Sequence, residues 1–241
     1  MRLILLIFGI LSTFYAFSNV NISINQKSYS YTENPRLADV LKPFAIEENW
    51  YWPATALYRK NSNNIEEKRA IVLSELKTVY SQQTDPKFKK ALVYLEQQII
   101  AWQLVERIFI DIDYDKARIQ AEHNPSFKDG DYLLLLKERP EAVSVFGMLE
   151  NARAIPLLSM TTSYEYLKGI DVSEGSDKSF VFIIQADGSV KKVGIAYWNR
   201  VDHQIMPGGQ LYIPIAERLF SNRIDELNKK IAELAANRVI Q

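Results

Sequence analysis

Two short stretches a domain-length apart constrain this chain more than any other feature. "FKDGDYLLLLKERP" begins at Phe127 and "IMPGGQLYIPI" begins at Ile205. In each, an apolar residue precedes a tight glycine turn, and the turn feeds a short strand. Phe127 aligns with Ile205, Asp129-Gly130-Asp131 with Pro207-Gly208-Gly209, Leu133 with Leu211, and Leu135 with Ile213. Internal similarity at a fixed spacing implies two copies of one supersecondary module. A length of 241 residues accommodates one large domain or two small ones.

The elements around each copy follow from periodicity. "NISINQKSYS" (21–30) alternates as a first strand, and Asn34-Pro35 marks a turn. "RLADVLKPF" has the apolar spacing of a short helix, which Pro43 is expected to stop. "NWYWPATALYRK" reads as an aromatic strand. The period then becomes helical. Ile65, Ile71, Val72, Leu76 and Val79 form a stripe behind Asn63 or Asn64 as cap. Asp85 caps a second helix, with Pro86 at its first position and Leu92, Leu95, Ile99, Trp102 and Val105 as its stripe. The two make a helical hairpin inserted into the first module over about 62–108. Strand signals resume at "RIFIDIDYDKARI".

The second copy is cleaner: a strand at "EAVSVFGML", a short helix at "TTSYEYLKGI" opened by Thr162 or Ser163, and a hairpin over "ADGS". This order suits a β-grasp-like domain, and the pattern leaves a plain α+β sandwich open beside it. From Ala216 onward the chain reads as one amphipathic helix, with Leu219, Phe220, Ile224, Leu227, Ile231, Leu234 and Val239 on its apolar face. Such a stripe must be buried somewhere. It docks on the second module, pairs with another chain or lies on a membrane; docking on the second module is the favoured expectation.

Arg2, the apolar run Leu3–Leu11 and the small residues Ala16 and Ser18 form a secretory leader with cleavage after Ser18, an uncleaved anchor being the alternative. No later segment is long and apolar enough to span a bilayer. Formal net charge is zero, so nothing points to nucleic acid. Without cysteine there are no disulfides, thiol nucleophiles or Cys-metal sites.

Residues that carry chemistry are sparse. His123 and His203 stand alone. Asp111, Asp113 and Asp115 alternate, but a calcium loop would need a glycine and a distal glutamate where Ala117 and Arg118 follow. No nucleophile elbow, phosphate loop or zinc helix is present. No catalytic residue, metal site or cofactor is expected. Arg118 either holds carbonyls or a carboxylate or binds an anion. Arg139, before Pro140 at the module junction, is the second candidate and reads as structural. Trp50, Trp52, Trp102 and Trp198 offer flat faces for sugar rings, with core packing the plainer role for each. Trp198 is the third candidate.

The segments "NPRLADVL", "WPATALYR", "DIDYDKARIQAEHNPSFKDGDYLLLLKERPEAVSVFG", "QADGSVKKVGIAYWN" and "MPGGQLYIPI", with the terminal helix, resemble the capsule-biosynthesis GfcC family. The likeness runs over essentially the whole chain after residue 18, and the long central segment is its most specific part. It implies an α+β fold of tandem β-grasp (ubiquitin-like) domains, with the helical hairpin in the first and an amphipathic helix at the end. The implied divisions are a leader at 1–18, domains at 19–139 and 140–215, and the helix at 216–241. That arrangement is similar to the periplasmic domains of outer-membrane polysaccharide exporters. The family's central arginine falls on Arg118. The resemblance implies a non-enzymatic periplasmic accessory protein of capsular or extracellular polysaccharide export. Its partners would be the export machinery at the outer membrane and the polysaccharide itself. A glycan-modifying enzyme and a pore subunit built on the terminal helix are the rival readings. The enzyme would need two carboxylates flanking one cleft, roughly 5 to 9.5 Å apart.

Overall fold

The computed structural model describes residues 19–46, 49–217 and 222–240. The expected leader and the stripe residues Leu219 and Phe220 lie outside the described residues. The fold is mixed α+β, with ten strands in two five-stranded sheets and six α-helices among the described residues.

The first sheet contains β1 (Val20–Ile24), β2 (Lys27–Tyr31), β3 (Ala56–Arg59), β4 (Glu106–Ile108) and β5 (Gly130–Leu135), ordered β2-β1-β5-β3-β4. Helix α1 (Leu37–Ala45) follows β2. Helices α2 (Asn64–Gln82) and α3 (Pro86–Ile100) form the hairpin between β3 and β4, and α4 (Tyr114–Ile119) precedes β5. The second sheet contains β6 (Ala142–Gly147), β7 (Arg153–Pro156), β8 (Phe180–Ile184), β9 (Val190–Gly194) and β10 (Gln210–Ile213), ordered β7-β6-β10-β8-β9. Helix α5 (Ser163–Leu167) lies between β7 and β8, and α6 (Asn222–Ala235) ends the chain's regular structure.

Numbered within each sheet, both orders are 2-1-5-3-4. The two aligned stretches of sequence are the fifth strand of each. Each runs parallel to the first strand of its sheet, β5 beside β1 and β10 beside β6. The glycine turns therefore occupy equivalent places in two sheets of one topology.

Val20, Ile22 and Ile24 alternate inward with Leu134 and pack under Leu37, Val40 and Leu41 of α1. The second sheet is covered on both faces. Every residue of β10 is buried. Ile213 lies beside Tyr164 and Leu167 of the α5 region, while the Tyr212 hydroxyl donates to Asn228 of α6 at 2.8 Å. Leu76, Leu92, Leu95 and Ile99 of the inserted hairpin join this second core and not the first. Gln98 of α3 fixes that docking: its amide donates to the carbonyls of Gly147 and Leu149, both at 3.1 Å, and its carbonyl accepts Gly147 N at 2.9 Å.

Helix α6 packs on α2 and β8, so in the described residues its apolar stripe is buried in cis. Its tail then crosses back to the first sheet. Val105 N donates to Asn237 O at 3.1 Å, and Val239 N donates to Gln103 O at 2.9 Å. Arg107 N donates to Asn237 Oδ1 at 2.9 Å.

Several local expectations differ. The stretch 21–30 is two strands, because Asn25 and Gln26 take φ of 47° and 96° and turn the chain as a tight hairpin. Pro43 lies inside α1 and does not stop it; its fixed φ fits a helix, and only two residues follow. The aromatic stretch begins with a 3₁₀ turn at Trp52–Ala54 before β3. Only Arg107 and Ile108 of "RIFIDIDYDKARI" pair as a strand, continuing from Glu106, and Asp113 then caps α4 by accepting Lys116 N at 3.0 Å. The 3.6-residue period past residue 215 overstates the helix: residues 214–217 are non-helical and the chain leaves α6 after Ala235.

Candidate functional site

The three candidate residues do not converge. Arg118 is exposed on the last turn of α4. Its guanidinium is 3.7 Å from Asp115, its i−3 neighbour, and 5.9 Å from the Tyr114 ring. Arg139 is exposed after β5, 5.3 Å from the Tyr51 ring, and borders a cleft of about 210 Å³ with Ser159, Thr161 and Gln204. Trp198 lies in the turn after β9. Among the four tryptophans, Trp102 is buried and Trp50 and Trp52 pack on the first core, whereas Trp198 is 72% exposed.

That turn is rigidly built. Asn199 Oδ1 accepts Ala196 N at 2.9 Å, and Asn199 N donates to Ala196 O at 3.1 Å. The Asn199 amide donates to Ser179 O at 3.0 Å, tying the turn to the chain just before β8. Gly194 enters the turn where a Cβ would sit 2.1 Å from Asn199 O, so only glycine fits. The result is two adjacent aromatics in water: Tyr197 is 96% exposed beside Trp198. Trp198 meets Phe180 edge-on, with ring centres 6.2 Å apart. Holding such rings in water on a fixed turn leaves apolar surface unburied, which is a recognised mark of a binding surface.

A groove of about 230 Å³ adjoins the turn, with Ile195, Val172 and Ile213 among its apolar walls and Tyr164 and Lys168 at its edge. Arg200, two residues beyond Trp198, lays its guanidinium 3.6 Å from the centre of the Tyr164 ring, and Lys168 Nζ lies 5.0 Å from the same centre. Tyr164 is fixed by the capping box of α5. The Glu165 carboxylate accepts Thr162 N at 2.8 Å, and hydrogen bonds from Thr162 hold its pKa below the usual carboxylate value. Ile195 at the start of the turn lines this groove and Arg200 at its end covers Tyr164, whereas Trp198 between them rests against Phe180. "AYWNR" carries the aromatics of the turn openly in sequence. Tyr164 and Lys168 lie on another element, and no pattern in the sequence links them to Arg200.

A second cluster of charge lies between the sheets, around the tail that follows α6. Arg238 stacks on Trp102 and Phe146 and donates to Gln210 at 2.8 Å; burial pulls its pKa down to about 10. Burial also lowers Arg107, which donates to Ala186 O at 2.7 Å, and Lys137, which donates to Ile240 O. These groups hold the tail in place. Asp111 is spent on Lys116 at 2.7 Å and His123 at 3.5 Å. Among the described residues no cluster of three or more histidines or carboxylates is arranged to hold a metal, and no helix is long and apolar enough to cross a membrane.

Residues 17–139 match the N-terminal part of the family described as capsule biosynthesis GfcC, and residues 151–240 match its C-terminal part. The chain is also similar to "Uncharacterized protein YjbG" of Escherichia coli (strain K12), with 30% identity over 151 residues. That alignment covers 63% of this chain and 61% of the relative.

Proposed function

The chain belongs to the capsule biosynthesis GfcC family, and from that premise we propose that it is a periplasmic accessory protein of capsular or extracellular polysaccharide assembly and export, acting by binding. The observation that carries the binding role is the Tyr197–Trp198 pair, exposed on a turn that Asn199 and Gly194 hold rigid. A flat aromatic face suits the apolar face of a sugar ring, and pre-ordering it lowers the entropy lost on binding. The cleft beside Arg139 and exposed Arg118 are secondary contact points in this reading. The leader at 1–18 supplies the periplasmic address.

The matching strand orders and the parallel first and fifth strands support reading the two halves as tandem β-grasp domains, divided at 139/140. The hairpin of the first half packs into the core of the second, which supports a rigid scaffold and argues against two independent modules. The cis burial of α6 favours an accessory role over a pore-forming one.

The test is surface polysaccharide in native cells after clean deletion and after complementation with wild type, Trp198→Ala, Arg139→Ala or Arg118→Ala, with periplasmic abundance of each measured in parallel. Loss on deletion, restored by wild type but not by a normally abundant Trp198→Ala, is the expected result. Unchanged amount and chain length on deletion would end this reading.

A further inference from the structure

We propose that the surface formed by the Tyr197–Trp198 turn and the Tyr164 groove binds an acidic saccharide, its sugar rings on the aromatics and its anionic groups on Arg200 and Lys168. This rests on the binding role proposed above and names the ligand class of that same surface.

Charge points to the ligand class. Arg200 and Lys168 both lie against the Tyr164 ring, at 3.6 and 5.0 Å from its centre, yet among the described residues neither makes an ion pair. A guanidinium stacked on a ring keeps its edge N–H donors free, and those donors match the two oxygens of a carboxylate or phosphate. Lys178 on the groove wall is a third cation that makes no ion pair among the described residues. The one carboxylate lining the groove, Asp177, is already engaged: its Oδ1 accepts Ser179 N at 2.7 Å and Phe180 N at 3.1 Å. Lys192, by contrast, is neutralised by Glu217 and Asp225, both at 2.6 Å, and contributes nothing here. Asp177 keeps its negative charge, so along the groove Lys168 and Lys178 outnumber it, and Arg200 over Tyr164 adds a further cation beside the aromatic turn. A neutral glycan would use only the aromatics, and a purely apolar partner would leave the cations unmatched.

The probe is extracellular polysaccharide isolated from producing cells, used as isolated, after carboxyl reduction and after mild dephosphorylation. Binding to the full mature chain is followed by retardation in polymer-containing native gels and by titration calorimetry. The expected result is binding to the untreated polymer that falls at least tenfold, about 1.4 kcal/mol, after one of the two treatments. That treatment identifies the anion as carboxylate or phosphate. Arg200→Gln combined with Lys168→Gln should weaken binding by a similar factor, Arg200→Lys should retain part of it, and Trp198→Ala should weaken binding to treated and untreated polymer alike. Unchanged thermal unfolding of each variant excludes misfolding.

Equal binding to charged and neutralised polymer, lost only in Trp198→Ala, would overturn the acidic ligand while leaving the binding role intact. No binding to any polymer would overturn the inference outright. The binding role would then survive only if Trp198→Ala still failed to complement the deletion, which would direct the surface to a protein partner.

Discussion

Replacing Asn228 by alanine tests the docking of α6 at a single point. Asn228 is 1% exposed and makes three hydrogen bonds across the α6–β10 contact. Its Oδ1 accepts the Tyr212 hydroxyl at 2.8 Å and Ile215 N at 3.0 Å, and its amide donates to Ile215 O at 2.8 Å. Alanine removes all three and leaves a hydroxyl, an N–H and a carbonyl without partners in a buried contact. A buried orphan costs about 1–3 kcal/mol, so three cost roughly 3–9 kcal/mol if none relaxes. The lost desolvation of the asparagine itself, and a water entering the vacated space, bring the expected net loss to about 3 kcal/mol. That is a large share of a typical domain stability of about 5–15 kcal/mol. Urea unfolding measures it as a lower midpoint at unchanged slope. Tyr212→Phe removes one donor and should cost only about 1 kcal/mol. The double variant should cost clearly less than the sum, because both changes delete the same bond. Burial keeps the Tyr212 pKa well above its usual value, so the hydroxyl remains a donor throughout the working pH range. A loss below about 0.5 kcal/mol for Asn228→Ala, or strict additivity with Tyr212→Phe, would refute the reasoning, since surface-like changes stay within that range.

Gly147 has φ +116° and a Cβ there would lie 2.2 Å from Ile213 O, so Gly147→Ala should abolish folded yield. Gly169→Ala, with nothing within 4 Å, should leave yield unchanged; equal yields by gel filtration would disprove the close β6–β10 approach. Hydrogen bonds from Lys192 hold Asp225 below the usual carboxylate pKa. For Lys192, burial pulls downward, but Asp225 and Glu217 raise its pKa overall. The tether between β9 and α6 therefore stabilises the fold above the carboxylate's unfolded pKa. It is lost as pH falls through Asp225's lowered folded value, and lost again as pH rises through the raised lysine value. Because both carboxylates are more than a third exposed, Lys192→Met should cost no more than about 1 kcal/mol, and only inside that window; a pH-independent difference in urea midpoint would contradict this.

Much of the architecture was legible in the residues, because it rests on local rules. Asp85 before Pro86 marked the start of α3, and its side chain does accept Lys87 N at 2.9 Å. The aligned glycine turns marked two strands that prove to be topologically equivalent, since a turn that needs glycine constrains its own neighbourhood whatever surrounds it. Strand β7 went unmarked: four residues at a sheet edge, mostly exposed, carry little pattern.

Periodicity also established that α2, α3 and α6 each have an apolar face, but not what covers it. A stripe reports that burial occurs and is blind to the partner, so that the first module's hairpin should complete the second module's core was decided by tertiary packing alone. The same holds for the candidate surface. Trp198 looks like Trp102 in sequence, yet one is buried and the other stands in water, because Gly194 and Asn199 turn the chain outward after β9. The sequence determined which side chains could stack on a sugar or pair with an anion. Only the fold, by bringing Tyr164 of α5 beneath Arg200, decided which of them share a surface.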